Sequence, residues 1–199
     1  MAARLANRMA TGRALLWLLA ALLPALAVAG VHKHVKHDHW ARKYDPLFRK
    51  YTKHYFGAHF DWHWFKAQGI AESGLDPKAK SPAGARGIMQ ILPGTYGDIK
   101  RKNPHLAGIE DPRWNIAAGI FYDRQLYRKW KQKPDIRTAD RLKFAFGSYN
   151  AGYGNVNKAY KRALRKHGEV RRWSQVEDFA PSETRHYVRR IEKLMQGAE

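Results

Sequence analysis

A chain of 199 residues with 44% hydrophobic and 13% aromatic residues can bury one sizeable core, so it reads as a single domain with an N-terminal appendage. The formal charge of +20 points to an anionic partner such as nucleic acid, anionic lipid or anionic cell-wall polymer. No zinc-finger, homeodomain or aromatic RNA-binding signature accompanies that charge, so no nucleic-acid partner is expected. The absence of cysteine excludes a disulfide framework, thiolate catalysis, cysteine-ligated metal and lipid attachment through cysteine.

Residues 1–29 read as a targeting segment. Arg4, Arg8 and Arg13 form a basic leader without acids, an apolar stretch follows, and Ala27-Val28-Ala29 before Gly30 is a small-residue cleavage signature. An uncleaved anchor is the rival, because Ala14 to Val31 carries no charge. Either way the domain is expected outside the cytoplasmic membrane, in the periplasm or cell envelope. Residues 30–59 read as a basic, histidine-rich linker with a leading helix. His32, His34, His37 and His39 could bind a metal, but their spacing has no tetrahedral logic, so a solvated linker is expected. Neither a metal nor another cofactor is expected.

From Asp45 onward the pattern is helical. Asp45-Pro46 reads as an N-cap followed by proline at the first helical position. Leu47, Phe48, Tyr51 and Tyr55 then recur at helical spacing, with Gly57 as a stop. Asp61 can cap the next helix, a short helix follows Pro93, and Asp111-Pro112 repeats the capping device before a long helix. Further helices are expected over 139–149, around Val156 to Ala163, and from Tyr187 to Met195. No run alternates with period two for long enough to argue a sheet, so the fold class is all-α. The basic stretch from Lys158 to Arg172 reads as a solvated helix face that could also steer an anionic polymer.

The chemistry-bearing stretch runs from Ala67 to Leu92. Glu72 falls at the end of a helix that Gly74 and Asp76-Pro77 terminate. The helix dipole is negative there and disfavours the ionised carboxylate. Apolar neighbours would raise its pKa further, as a general acid requires. The spacing alone leaves Glu72 open between that role and an exposed glutamate on a capped helix. Asp76, Asp98, Glu110, Asp111 and Asp123 offer no convincing second carboxylate, which suits a one-carboxylate mechanism.

Four motifs in order carry a resemblance: E-S-G-L-D-P at 72–77, S-P-A-G-A-R-G-I-M-Q at 81–90, S-Y-N-A-G-Y-G-N at 148–155 and E-T-R-H-Y-V at 183–188. Together they resemble the lytic transglycosylase family over roughly Phe60 to Gln196. The resemblance implies a lysozyme-like helical domain (60–199) with a substrate cleft between the Glu72 loop and the 148–155 turn. It also implies non-hydrolytic cleavage of peptidoglycan between N-acetylmuramic acid and N-acetylglucosamine, leaving 1,6-anhydro ends. A hydrolytic lysozyme on the same fold is the alternative.

Glu72 would be the single general acid and base. Ser81 would hydrogen-bond at the reacting sugar, and Met89 and Gln90 would form a wall contacting the glycan. Tyr149 would approach and orient Glu72. Asn150 would either contact substrate or hold its turn, and Tyr187 would line the cleft or sit in the core. Peptidoglycan strands are the implied partner, and a monomer is expected.

Overall fold

The computed structural model describes residues 33–196; the segment read as a signal peptide or anchor, 1–29, lies outside the described residues. Among the described residues there are seven α-helices: α1 (Asp45–Phe56), α2 (His63–Ser73), α3 (Pro93–Lys102), α4 (Pro112–Lys131), α5 (Thr138–Ala151), α6 (Tyr153–His167) and α7 (Ser182–Met195). Strand structure among them is limited to two isolated bridges, Lys80 with Arg86 and Arg86 with Ile91, inside the α2–α3 loop. No helix among them is long and apolar enough to cross a membrane.

The site is carried by two helices that run through the core. In α2 every residue from Phe65 to Ala71 is buried, and in α4 the same holds from Asn115 to Ile120. Such helices must satisfy their polar side chains internally. Lys66 accordingly reaches Asp45 at 2.7 Å, and Asn115 binds three backbone groups. The pairing of Asp45 with Lys66 corrects one expectation. Asp45 lies inside the first turn of α1 and its side chain makes no cap hydrogen bond. By contrast, Asp111 caps α4 by accepting from Arg113 N at 2.8 Å, and Asp61 accepts from His63 N at 3.0 Å.

The histidine-rich stretch also differs from the solvated linker expected of it. Val35 is fully buried and its N–H donates to the Leu194 carbonyl at 2.8 Å, while Tyr44 enters the core. Its apolar residues outweigh the surrounding charge, so it docks along the end of α7. His34 and His37 turn their Nδ1 atoms to nearby backbone N–H groups. Among the described residues no group of three His, Cys, Asp or Glu is placed to hold a metal ion.

Candidate active site

The α2 helix stops where Gly74 adopts a left-handed conformation with φ 65° and its N–H returns to the Ile70 carbonyl at 2.9 Å. That stop leaves Glu72 in the last turn, at the edge of a cleft of about 430 Å³. Ser81, Ala85, Gln90, Tyr122, Tyr149, Asn150, Glu183 and Thr184 share the cleft. The α2–α3 loop therefore faces the junction of α5 with α6 and the start of α7.

Burial dominates the electrostatics of Glu72 and pushes its carboxyl up to about 8. The charge of Glu183 adds a smaller upward push already contained in that value. A hydrogen bond from Tyr187 and the charge of Arg190 oppose these effects without overcoming them. At neutral pH the side chain thus keeps its proton. The Tyr187 hydroxyl donates to Glu72 Oε1 at 2.6 Å, so one carboxyl oxygen is fixed and the other is left to carry that proton. Burial also holds both Tyr149 and Tyr187 well above the usual phenol range, which keeps their hydroxyls available as donors.

The hydroxyl that hydrogen-bonds Glu72 is that of Tyr187, not of Tyr149. The Tyr149 hydroxyl donates to the Met89 carbonyl at 2.7 Å and ties the loop to α5; it lies near enough to Glu72 to feel its charge but makes no hydrogen bond to it among the described residues. Met89 itself is fully buried, and a side chain added at Gly119 of α4 would lie 2.8 Å from its Cγ. Its thioether is a core contact, which corrects its placement on the glycan wall. Met89 contributes its backbone, held by Asn115 and Tyr149.

The remaining site residues are all in the cleft, with narrower capabilities than their side chains suggest. Gln90 spends both amide hydrogens on the Ala79 and Gly87 carbonyls, at 3.1 and 2.9 Å. Only its carbonyl oxygen is left for a ligand. The Ser81 hydroxyl accepts from Ala85 N at 3.0 Å, so it closes its own turn while its O–H can still donate. Asn150 accepts from the Thr184 hydroxyl at 2.7 Å, which joins α5 to α7 and leaves its amide N–H groups at the cleft.

Two contributors escaped the sequence reading. Asn115, buried on α4, accepts from Met89 N at 2.8 Å and donates to the Arg86 and Ile109 carbonyls at 2.9 and 3.0 Å. Gly87 approaches it so closely that an added Cβ would lie 2.5 Å from Asn115 Nδ2. The loop can seat on α4 because that position is glycine with φ 72°. Glu183 is the second contributor, an exposed carboxylate on the first turn of α7 that faces the cleft. It lay within the E-T-R-H-Y-V motif, and only its cleft-facing position makes it relevant.

Asp123 lies behind the cleft, fully buried on α4, and burial raises its carboxyl well above the usual range. Its Oδ1 accepts from Gln68 Nε2 at 3.4 Å, while Asp123 Oδ2 and Gln68 Oε1 have no partner among the described residues. Burial favours the protonated carboxyl, which gains an O–H donor that the carboxylate lacks. Asp123 is thus suited to be a neutral acid of the interior.

An elevated carboxyl in a cleft walled by amide and hydroxyl groups is the arrangement of a glycosidic general acid. Comparison with known sequences decides the family. The profile of the Transglycosylase SLT domain matches residues 56–171, more than half of the chain. The chain belongs to this family. Among relatives, membrane-bound lytic murein transglycosylase F of Aliivibrio fischeri is 34% identical over 140 residues, covering 70% of this chain and 26% of the relative. Its counterpart in Vibrio campbellii is 29% identical over 179 residues, covering 80% and 31%.

Among solved structures, the crystal structure of the 70 kDa soluble lytic transglycosylase of Escherichia coli matches with a TM-score of 0.62 and 28% identity, over 78% of this chain and 24% of that one. A complex of the 70 kDa soluble lytic transglycosylase with bulgecin A matches with a TM-score of 0.59 and 29% identity, over 75% and 23%. The chain thus spans between about a quarter and a third of the length of these relatives. The transglycosylase SLT fold accounts for the helical architecture, and the matched segment carries every cleft residue named above except those of α7.

Proposed function

We propose that this domain is a peptidoglycan lytic transglycosylase acting in the cell envelope, with Glu72 as its single acid and base. The observation that carries the reading is a carboxyl raised to about 8 at the cleft wall, one oxygen fixed by Tyr187. Glu72 transfers its proton to the glycosidic oxygen as the bond from the muramyl C1 breaks. The carboxylate so formed is steadied by the Tyr187 O–H, because a charge-assisted hydrogen bond is stronger than a neutral one. It then takes the proton from the C6 hydroxyl of the same sugar while O6 bonds to C1. One C–O bond breaks, one forms, and Glu72 recovers its proton, so no water is consumed.

An internal hydroxyl held near the anomeric carbon acts at high effective concentration and needs no second base to position it. Hydrolysis would need a second carboxylate to act as nucleophile or to activate water, and Glu183 is the cleft residue that could serve. The two routes differ in product. Digested sacculi should yield muropeptides ending in 1,6-anhydro-N-acetylmuramic acid, lighter by one water than hydrolytic products and inert to borohydride. Reducible ends, together with complete loss of activity in Glu183→Gln, would replace the lyase with a hydrolase. In the same assay Glu72→Gln should be inactive but folded, because glutamine keeps the shape and cannot exchange the proton.

A further inference from the structure

The α6 helix is the one α-helix among the described residues without an acidic residue, and no Asp or Glu occurs from Arg141 to Gly168. Its two faces are sharply divided. Val156, Ala159, Tyr160 and Ala163 are buried at i, i+3, i+4 and i+7. On the opposite face Lys158, Lys161, Arg162 and Arg165 repeat the same spacing, all exposed and none ion-paired among the described residues.

Some basic side chains elsewhere meet acids, as in Arg189 with Glu177, Lys143 with Glu192, and Arg86 with Glu110, and α6 is set apart by carrying its cations on one face with no acid on the helix. Like charges three and four residues apart disfavour a helix, and a face serving only solubility would intersperse both signs. The stripe therefore lowers the stability of the isolated helix and calls for an anionic occupant. Its position indicates which one. Gly152 and Asn155, at the start of α6, line the catalytic cleft, and the stripe begins one turn beyond them.

From these observations we infer that the basic face of α6 is an accessory binding surface for the carboxylates of peptidoglycan peptide stems, engaged by the strand whose glycan backbone lies in the cleft. Resting on the lyase reading above, this makes stem-bearing murein the preferred substrate class. The four cations span about 10 Å of helix at 1.5 Å per residue, a surface on which more than one carboxylate can sit. Attraction there is long-ranged and weak per contact, so it raises local strand concentration without fixing the reacting sugar.

The test combines Lys158→Gln, Lys161→Gln, Arg162→Gln and Arg165→Gln, changes that keep helix propensity nearly constant. Co-sedimentation with sacculi is measured in the Glu72→Gln background, so that no cleavage intervenes. The quadruple variant should bind intact sacculi about tenfold more weakly at low salt, with a shallower salt dependence. The parent should lose a similar factor on sacculi stripped of peptide stems by an amidase. Equal binding of parent and variant to intact sacculi would overturn the proposal, as would undiminished parent binding to stripped glycan. Unchanged helicity by circular dichroism establishes that the variant is folded. Release of 1,6-anhydro ends from intact sacculi at saturating concentration, with Glu72 restored, is the separate readout of the lyase itself. It should be unchanged by the four substitutions, and its absence in both proteins would reject the lyase reading while leaving the binding comparison valid.

Discussion

Two tyrosines reach the same region with different tasks, and one missing oxygen in each separates them. Tyr187→Phe removes the hydrogen bond to Glu72 Oε1. A hydrogen bond to a charged group contributes about 1.5–3 kcal/mol, so kcat should fall about ten- to a hundredfold. Because that bond lowers the Glu72 pKa, its loss should also move the alkaline limb of the pH–rate profile upward. Tyr149→Phe instead leaves the Met89 carbonyl without its donor, so its main effect should be a lower melting temperature. Steady-state kinetics across pH, beside thermal melts, distinguishes the two. A larger kcat loss in Tyr149→Phe with the pH limb displaced would return the orienting role to Tyr149. Gln90 shows the same dependence on unused atoms: with both its hydrogens taken by the loop, it can recognise a donor but not an acceptor.

At the level of elements, the α2–α3 loop is the part of the site most dependent on remote support. It contains no regular strand, yet Ser81, Gln90 and the Met89 backbone must all hold their positions for the cleft to exist. Asn115 supplies two hydrogen bonds from α4, with Met89 N and the Arg86 carbonyl, and Ser73 adds one from the end of α2 by donating to the Ile88 carbonyl at 2.9 Å. Asn115→Ala would leave one buried N–H and two part-buried carbonyls to find other partners. Stability should fall by about 2–4 kcal/mol. Urea titration followed by circular dichroism measures the loss. Native-state hydrogen exchange should show the Met89 amide losing its protection in particular. Full protection at that amide in the variant would show that the loop holds itself.

For the molecule as a whole, the raised Glu72 carboxyl links the chemistry to folding. Below its ordinary value of 4.5 the group is protonated in both folded and unfolded chains and contributes no difference. Between 4.5 and about 8 the unfolded chain releases the proton while the folded chain retains it, so stability falls as pH rises. Above about 8 both forms are ionised and the penalty is constant. Glu72→Gln has no such proton to lose. Its melting temperature should exceed that of the wild type by a margin that widens from pH 4.5 to 8 and then levels off. Asp123 is present in both proteins, and because burial outweighs the Glu72 charge in raising its carboxyl, its contribution largely cancels. A constant difference across that range would mean that Glu72 ionises normally. Conservation of this penalty in the folded domain is the expected stability cost of a general acid poised for neutral pH.

Local sequence determined the helical elements and several of their ends. Asp111 with Pro112 set the start of α4, Gly74 closed α2 and thereby put Glu72 in its last turn, and periodic apolar residues announced the buried faces of α1 and α6. Capping and periodicity act over a few residues, so they are legible in the chain itself. Tertiary structure alone decided which groups meet. Tyr187 lies 115 positions from Glu72, and its contact depends on how α7 packs along α2. Met89 and Gln90 are neighbours in one motif, yet a backbone turn at Gln90 with φ 44° sends one into the core and leaves the other at the cleft. The histidine-rich stretch packs because Val35 and Tyr44 find a surface that only the assembled helices provide. Such partners are chosen by packing between distant segments, and no spacing along the chain encodes them.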